Sequence, residues 1–434
     1  MKDVTLRNLI FLMRKFPEVP ETLSFELTVS IFYSGGKKFS KFFRRYKMAK
    51  NILYDAIIDK RKTGRLLPRI LQTDEVIYDA YEKMKSDQNY VDSSFATSQT
   101  ASSDHSWKFQ VGILSDWMLE LQTDSSAVWN VGQYAICQAI REVRLISGGS
   151  ILIKYTGSQL FEYLWFWNVQ KGGEQRTILK DLMDRGGGNI GATSLFCPIL
   201  APGQNGVSGV ASQPMNWGLS KDPFEIQITL NPGNLISVTN PLNIIKVRMH
   251  YRSWAVEDNL KPLFNKFSMV DFNYTIKIDT ITQNTNYILP VQNVFDTTGT
   301  KELIGMFVRV VTAANVTTNF SPFVGQEIQT LELQIDNYNL YQHTTSQHAK
   351  HYMYNLLGVT PYDSNSLSWQ YFIAFSNDLY DKFMNKGTPG VSLSKYMPNL
   401  VINSTTATGT YYIYMTSVNK CTWVIDTGTC KVLY

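Results

Sequence analysis

A chain of 434 residues is too long for one hydrophobic core and divides into two or three domains. Its composition is 44% hydrophobic and 13% aromatic with only 18% charged residues, which fits a globular protein with a sizeable core and leans toward β structure and large contact surfaces. The net charge of +5 is local: residues 37–69 hold twelve bases against the two acids Asp55 and Asp59, a charge of +10 that leaves −5 for everything else.

Residues 1–95 read as a basic, helical N-terminal extension. The apolar residues Phe39, Phe42, Phe43, Tyr46, Met48, Ile52, Leu53 and Ile57 recur near a 3.6 period with bases between them, and Glu75 to Met84 offers a second helix. No apolar run reaches the ~18–20 residues of a membrane span, and Leu9 to Met13 is followed at once by Arg14 and Lys15, unlike a secretory signal. Small polar residues over 93–104 then read as a linker.

Strands dominate from Trp107 onward. Trp107, Phe109, Val111 and Ile113 alternate with polar residues or glycine. Val143, Leu145, Ile151, Ile153 and Tyr155 alternate around the turn signal Gly148-Gly149, and the apolar run Leu160 to Val169, which contains Glu162, reads as a core element. Phe224 to Leu230 alternates and stops at Asn231-Pro232-Gly233; Ile245 to Tyr251 alternates after Pro241. Between them, residues 171–221 are rich in glycine and proline turn signals and read as one long insertion rising at one end of the fold.

After a joint at Asp258 to Pro262 the series recurs. Phe272, Tyr274, Ile276 and Ile278 alternate, as do Leu331, Leu333 and Ile335, then Trp369 to Phe375, Val391 and Leu393, and Tyr411 to Val418. Sliding the chain by 188 positions places Thr156, Ser158 and Gln159 on Thr344, Ser346 and Gln347, each set following an alternating strand and preceding an aromatic-rich run. Short strands at this spacing, without a helix after each, predict an all-β fold of two tandem antiparallel sandwiches: residues 96–262 and 263–434.

Several segments together resemble the double jelly-roll major capsid proteins of icosahedral giant viruses, tectivirus-like phages and adenovirus hexons. In the first half they are Leu145 to Ile153, Gly157 with Phe161 to Phe166, Pro223-Phe224, Asn231 to Gly233, Pro241-Leu242 and Ile244 to Tyr251. In the second half they are Leu331 to Leu340, His348 to Leu357, Trp369 to Phe375, Leu393 to Leu400 and Val418 to Tyr434. The resemblance implies two jelly-roll sandwiches, a homotrimer with six lobes that tiles a virion shell, contacts with neighbouring capsomers and minor capsid proteins, and no enzymatic activity. A receptor- or glycan-binding spike or penton protein of a virion is the alternative within the same resemblance. A β-sandwich enzyme would need carboxylates gathered on one concave face, which chain order does not reveal.

No motif points to catalysis, a cofactor or a metal. His348-Ala349-Lys350-His351 lacks the glutamate of a zinc hydrolase, and Arg185 to Gly191 lacks the Gly-Lys-Ser/Thr of a phosphate loop. The four cysteines form no Cys-x-x-Cys pair; Cys421 and Cys430 flank a hairpin signal, with buried free thiols the expected state. The remaining candidate is the basic arm, with Lys37, Lys38, Lys41, Arg44, Arg45, Lys47 and Lys50 interleaved with Phe42, Phe43 and Tyr46. Such a pattern suits membrane lipid headgroups, the viral genome, or a solvated helix face packed on the sandwiches.

Overall fold

The computed structural model describes residues 85–93, 101–123, 135–171, 194–204, 214–232, 244–256, 258, 261–295, 301–317, 323–335, 338–357, 362–363, 368–375, 396–403, 408–426 and 428–434. The helices expected over 39–58 and 75–84, and the basic arm, lie outside them. All described residues belong to one compact unit, Lys83–Tyr434.

The first half runs β1 (Lys85–Asp92), β2 (Ser103–Phe109), β3 (Ile113–Thr123), α1 (Ala135–Ala139), β4 (Ile140–Ser147), β5 (Ser150–Tyr155), α2 (Gly157–Lys171), β6 (Ser194–Pro198), β7 (Met215–Asn216), β8 (Phe224–Leu230) and β9 (Ile244–Ala255). Two antiparallel sheets result, β1-β9-β3-β6, with the two-residue β7 also on β3, and β2-β8-β4-β5. With β7 set aside, the eight strands pair in the order first-eighth-third-sixth and second-seventh-fourth-fifth, which is a jelly roll.

The second half runs β10 (Lys266–Ile281), β11 (Tyr287–Pro290), β12 (Glu302–Thr312), α3 (Ala313–Thr317), β13 (Thr330–Ile335), β14 (Tyr338–His343), α4 (Ser346–Leu357), β15 (Tyr362–Asp363), β16 (Ser368–Trp369), β17 (Tyr371–Ala374), β18 (Pro398–Asn403), β19 (Gly409–Asp426) and β20 (Thr429–Leu433). Its sheets are β10-β19-β12-β17, with β20 on β19, and β11-β18-β13-β14. Setting aside β15, β16 and β20, the pairing order of the first half is repeated. The 188-residue echo therefore has a structural meaning: β14 begins 188 residues after β5 (338 against 150), and α4 follows β14 as α2 follows β5.

Alternation builds the cores. His105, Trp107 and Phe109 turn inward from β2, Leu119 and Leu121 from β3, Val143 and Leu145 from β4, and all are buried. In the second roll Met306, Val308 and Val310 of β12 meet Leu331 and Leu333 of β13 and Ile413 and Met415 of β19 in a separate core.

Four expectations change. Residues 85–92, assigned to the helical extension, are a strand and supply the first strand of the first roll, so that roll begins before residue 96. The linker over 93–104 ends sooner, because Ser103 and Asp104 already pair with Leu230 and Thr229. The run Trp107 to Ile113 is two strands: Gly112, at φ +99°, turns the chain and leaves Val111 exposed. The insertion over 171–221 is divided by β6. After β6 the chain packs where β3 begins, with the Trp217 N–H donating to Gly112 O (2.9 Å) and the Asp116 N–H to Gly203 O (3.0 Å). Where β6 starts, Ser194 pairs with Gln122 near the end of β3. β6 thus runs from the end of β3 back toward its beginning.

Candidate functional site

The contact between the two rolls is the most built feature of the described residues. It forms because the β10-β19-β12-β17 sheet is apolar on both faces. Its inner face closes the second core, while Phe267, Met269, Phe272, Phe307, Trp423 and Ile425 join the buried cluster of the first roll. Aromatic rings form the seam. Trp217 stacks on Phe224 with centroids 4.0 Å apart, and Trp423 of the second roll meets both edge-on at 6.2 and 6.0 Å. Phe272 meets Tyr155 and Tyr163 edge-on, and Phe161 stacks on Phe323 at 4.3 Å. Such pairs add about 0.5–1.5 kcal/mol each beyond their burial. The Lys221 N–H donates to Gly428 O (2.8 Å), tying the β19-β20 turn to the first roll.

A buried charge pair crosses the same seam. Arg309 of β12 donates through Nη2 to Ser158 Oγ (2.6 Å) and lies 3.4 Å from Glu162 Oε1 on α2. The rings of Phe161, Phe323 and Tyr414 surround its guanidinium at 5.1, 5.4 and 4.6 Å. Burial pushes the Glu162 carboxyl up against the opposing pull of Arg309 and the Thr416 hydroxyl, and pushes Arg309 down. Beside the pair a cleft of about 290 Å³ opens between the rolls, lined among others by Gln138, Ser158, Gln159, Tyr274, Ile276 and Thr416. The alternating residues Tyr274, Ile276 and Ile278 of β10 are about half exposed, the first two lining this cleft.

The other sequence candidates are dispersed. His348 and His351 are exposed on α4, where His351 bonds Asn355, while His343 is buried in the second roll against Tyr341 Oη (2.8 Å). Among the described residues no three His, Cys, Asp or Glu side chains gather to hold a metal. Cys421 and Cys430 are buried free thiols; Cys430 pairs across the hairpin with Ile425, so the two do not face each other. Burial raises both thiols, Cys430 to about 12. The seam itself escaped the sequence reading; its signal was Glu162 inside an apolar run.

No family model and no curated protein sequence matches the chain. Solved structures do. PBCV-1 VP54, fitted into a cryo-EM reconstruction of the virophage Sputnik, superposes with a TM-score of 0.59 at 10% identity over 81% of this chain and 97% of its own. The chain has the double jelly-roll fold of these capsid proteins. The Faustovirus major capsid protein matches at TM-score 0.51 and 10% identity over 89% of this chain and 98% of that one. The Sputnik virophage structure at 3.5 Å matches at 0.50 and 11% over 80% and 88%. At such identities the double jelly roll is held by its pairing order and burial pattern, because few individual side chains are shared.

Proposed function

We propose that the chain is a structural protein of an icosahedral virus shell, located in the virion and assembling as pseudo-hexagonal trimers. The observation that carries this reading is the doubled jelly roll fused by a buried aromatic seam. A shell needs rigid blocks of fixed outline, and antiparallel sandwiches supply them by burial alone, without a cofactor. The structural likeness to a PBCV-1 capsid protein and to the Faustovirus major capsid protein supports the same reading. Two similar rolls per chain give six lobes per trimer, an outline that packs hexagonally against neighbouring capsomers and leaves gaps suited to minor capsid proteins. Function by shape requires no catalytic group. The decisive experiment is light scattering and electron microscopy of the purified full chain. Six-lobed trimers are expected, and a chain that stays monomeric at every concentration overturns the reading.

The basic arm belongs to the same proposal. A charge of +10 over residues 37–69 suits phosphate groups, whether of an internal membrane or of the packaged genome. Binding of the full chain to anionic vesicles and to DNA across a salt series separates the two, and salt-independent behaviour toward both removes the arm from the proposal.

A further inference from the structure

We infer that Lys301 and Asn273 join in an isopeptide bond, formed once per chain by the folded protein with Asp271 as its acid–base catalyst, and that this bond ties β10 to the start of β12 across β19.

The cluster follows from alternation in β10. Phe272 turns to the first roll, where it meets Tyr155 and Tyr163, so Asp271 and Asn273 turn to the opposite side of the sheet. Their partners on β19 are Asn419 and Ser417, which pair in turn with Leu303 and Met306 of β12. Leu303 and Met306 belong to the core of the second roll, so the four polar side chains stand in rows that continue into that core. Asp271, Ser417 and Asn419 are buried. Lys301, one residue before β12, reaches back over β19 to Asp271 and Asn273.

Three groups that together can exchange an amide meet there. Lys301 Nζ lies 2.5 Å from Asp271 Oδ2 and 3.2 Å from Asn273 Oδ1. The Phe272 N–H donates to Asp271 Oδ1 (2.9 Å), and Tyr434 Oη donates to Oδ2 (3.0 Å), which fixes the carboxylate. The Tyr434 ring covers Nζ at 4.5 Å, and the Lys301 and Asp271 side chains are only 18% and 7% exposed. An ion pair needs the ammonium and the carboxylate alone. The carboxamide on the same nitrogen completes a set of nucleophile, base and acyl group. Reacting groups held at about 3–3.5 Å have already met the cost of encounter.

The step balances within the chain. Asp271 takes a proton from the Lys301 ammonium, and the freed Nζ lone pair attacks Asn273 Cγ. The new C–N bond forms as the carbonyl electrons move onto Oδ1. When they return, the bond from Cγ to Nδ2 breaks. Asp271 passes to the leaving nitrogen the proton it took and then the one Nζ sheds, so ammonium departs and Asp271 is a carboxylate again. Nothing is oxidised or reduced. β10 and β12 both hydrogen-bond to β19, which lies between them, so the product is a covalent strap across three strands of one sheet.

Tandem mass spectrometry of a tryptic digest of the full chain tests this. Wild type is expected to yield residues 267–277 joined to residues 278–309, uncut after Lys301 and lighter than the two peptides by one ammonia. Lys301→Arg and Asp271→Asn are expected to lose the joined product. Asn273→Asp is expected to keep it, at the same mass, by releasing water instead. That variant preserves size and tests the acyl partner even if Asp271→Asn fails to fold. Wild-type peptides that separate fully after Lys301 overturn the inference. A wild-type product lighter by one water makes Asp271 the acyl partner and also overturns it, as does a bond that forms in folded Asp271→Asn. The shell reading is judged by assembly and stands in each case.

Discussion

Arg309 reaches out of the second roll to place Nη2 2.6 Å from Ser158 Oγ and 3.4 Å from Glu162, so that a fully buried charge pair joins two halves of one chain. Arg309 Nε and Nη1 find no hydrogen-bond partner. A pair so enclosed is costly to break singly and cheap to replace whole. Arg309→Met is expected to lower stability by about 3–5 kcal/mol, because Glu162 is left buried without its cation. Adding Glu162→Leu is expected to recover most of that loss. Urea unfolding of the two single variants and the double variant checks both values.

Two histidines predict acid sensitivity. His105 is buried between Ser93 Oγ (2.8 Å) and Ser103 Oγ (2.9 Å), and His343 lies against Tyr341 Oη; burial lowers each to about 4 from 6.5. Between pH 6.5 and 4 the unfolded chain binds protons that the folded chain refuses. Stability from these groups is therefore full above pH 6.5 and falls as pH drops toward 4, by up to about 3 kcal/mol per histidine. Thermal melts of wild type and of His105→Gln between pH 7 and 4 should show a shallower pH slope in the variant.

Gly157 begins α2 at a point where a side chain has no room. A Cβ there would lie 2.0 Å from Cys137 O and 2.3 Å from Ile140 O, both backbone atoms. Gly157→Ala is expected to cost about 3 kcal/mol, at the upper end of the usual overpacking cost, and to disturb the seam that α2 supports. Chemical denaturation reads the first effect. Near-ultraviolet circular dichroism of the aromatic seam reads the second.

Trp423 is fully buried and meets Trp217 and Phe224 across the seam. Trp423→Ala is expected to cost about 3–5 kcal/mol. If the rolls unfold together, calorimetry shows one transition moved to lower temperature. Two separated transitions would show that each roll stands alone.

Much of this architecture was written in the sequence as alternation. Phe224 to Leu230, Ile245 to Tyr251 and Leu331 to Ile335 are strands where the pattern placed them, because each of these strands turns one side to its core and the other outward. β1 was missed for a physical reason. Among the described residues it pairs only with β9, at the edge of its sheet, and Tyr90 and Val91 are both exposed, so its sequence carries no apolar period. The run through Val111 misled because alternation cannot register a turn until Gly112 is known to take positive φ. Tyr274, Ile276 and Ile278 were legible as a strand, but alternation does not tell that they share the side of Phe272, turned toward the first roll, and stay half exposed there. The Glu162–Arg309 pair joins residues 147 positions apart (309 against 162), and no local pattern encodes such a partner.

Matching positions of the two rolls, the eighth residues of β3 and β12 and the helix residues that follow β5 and β14 at equal distance, carry opposite charges. Helix position 162 carries an acid and position 350 a base; strand position 120 carries an acid and position 309 a base. Each acid has its partner already: Glu162 holds a first roll to a second through Arg309, while Glu120 is held inside its own roll by Arg248 and His250, so the duplicated halves spend matching positions on different tasks.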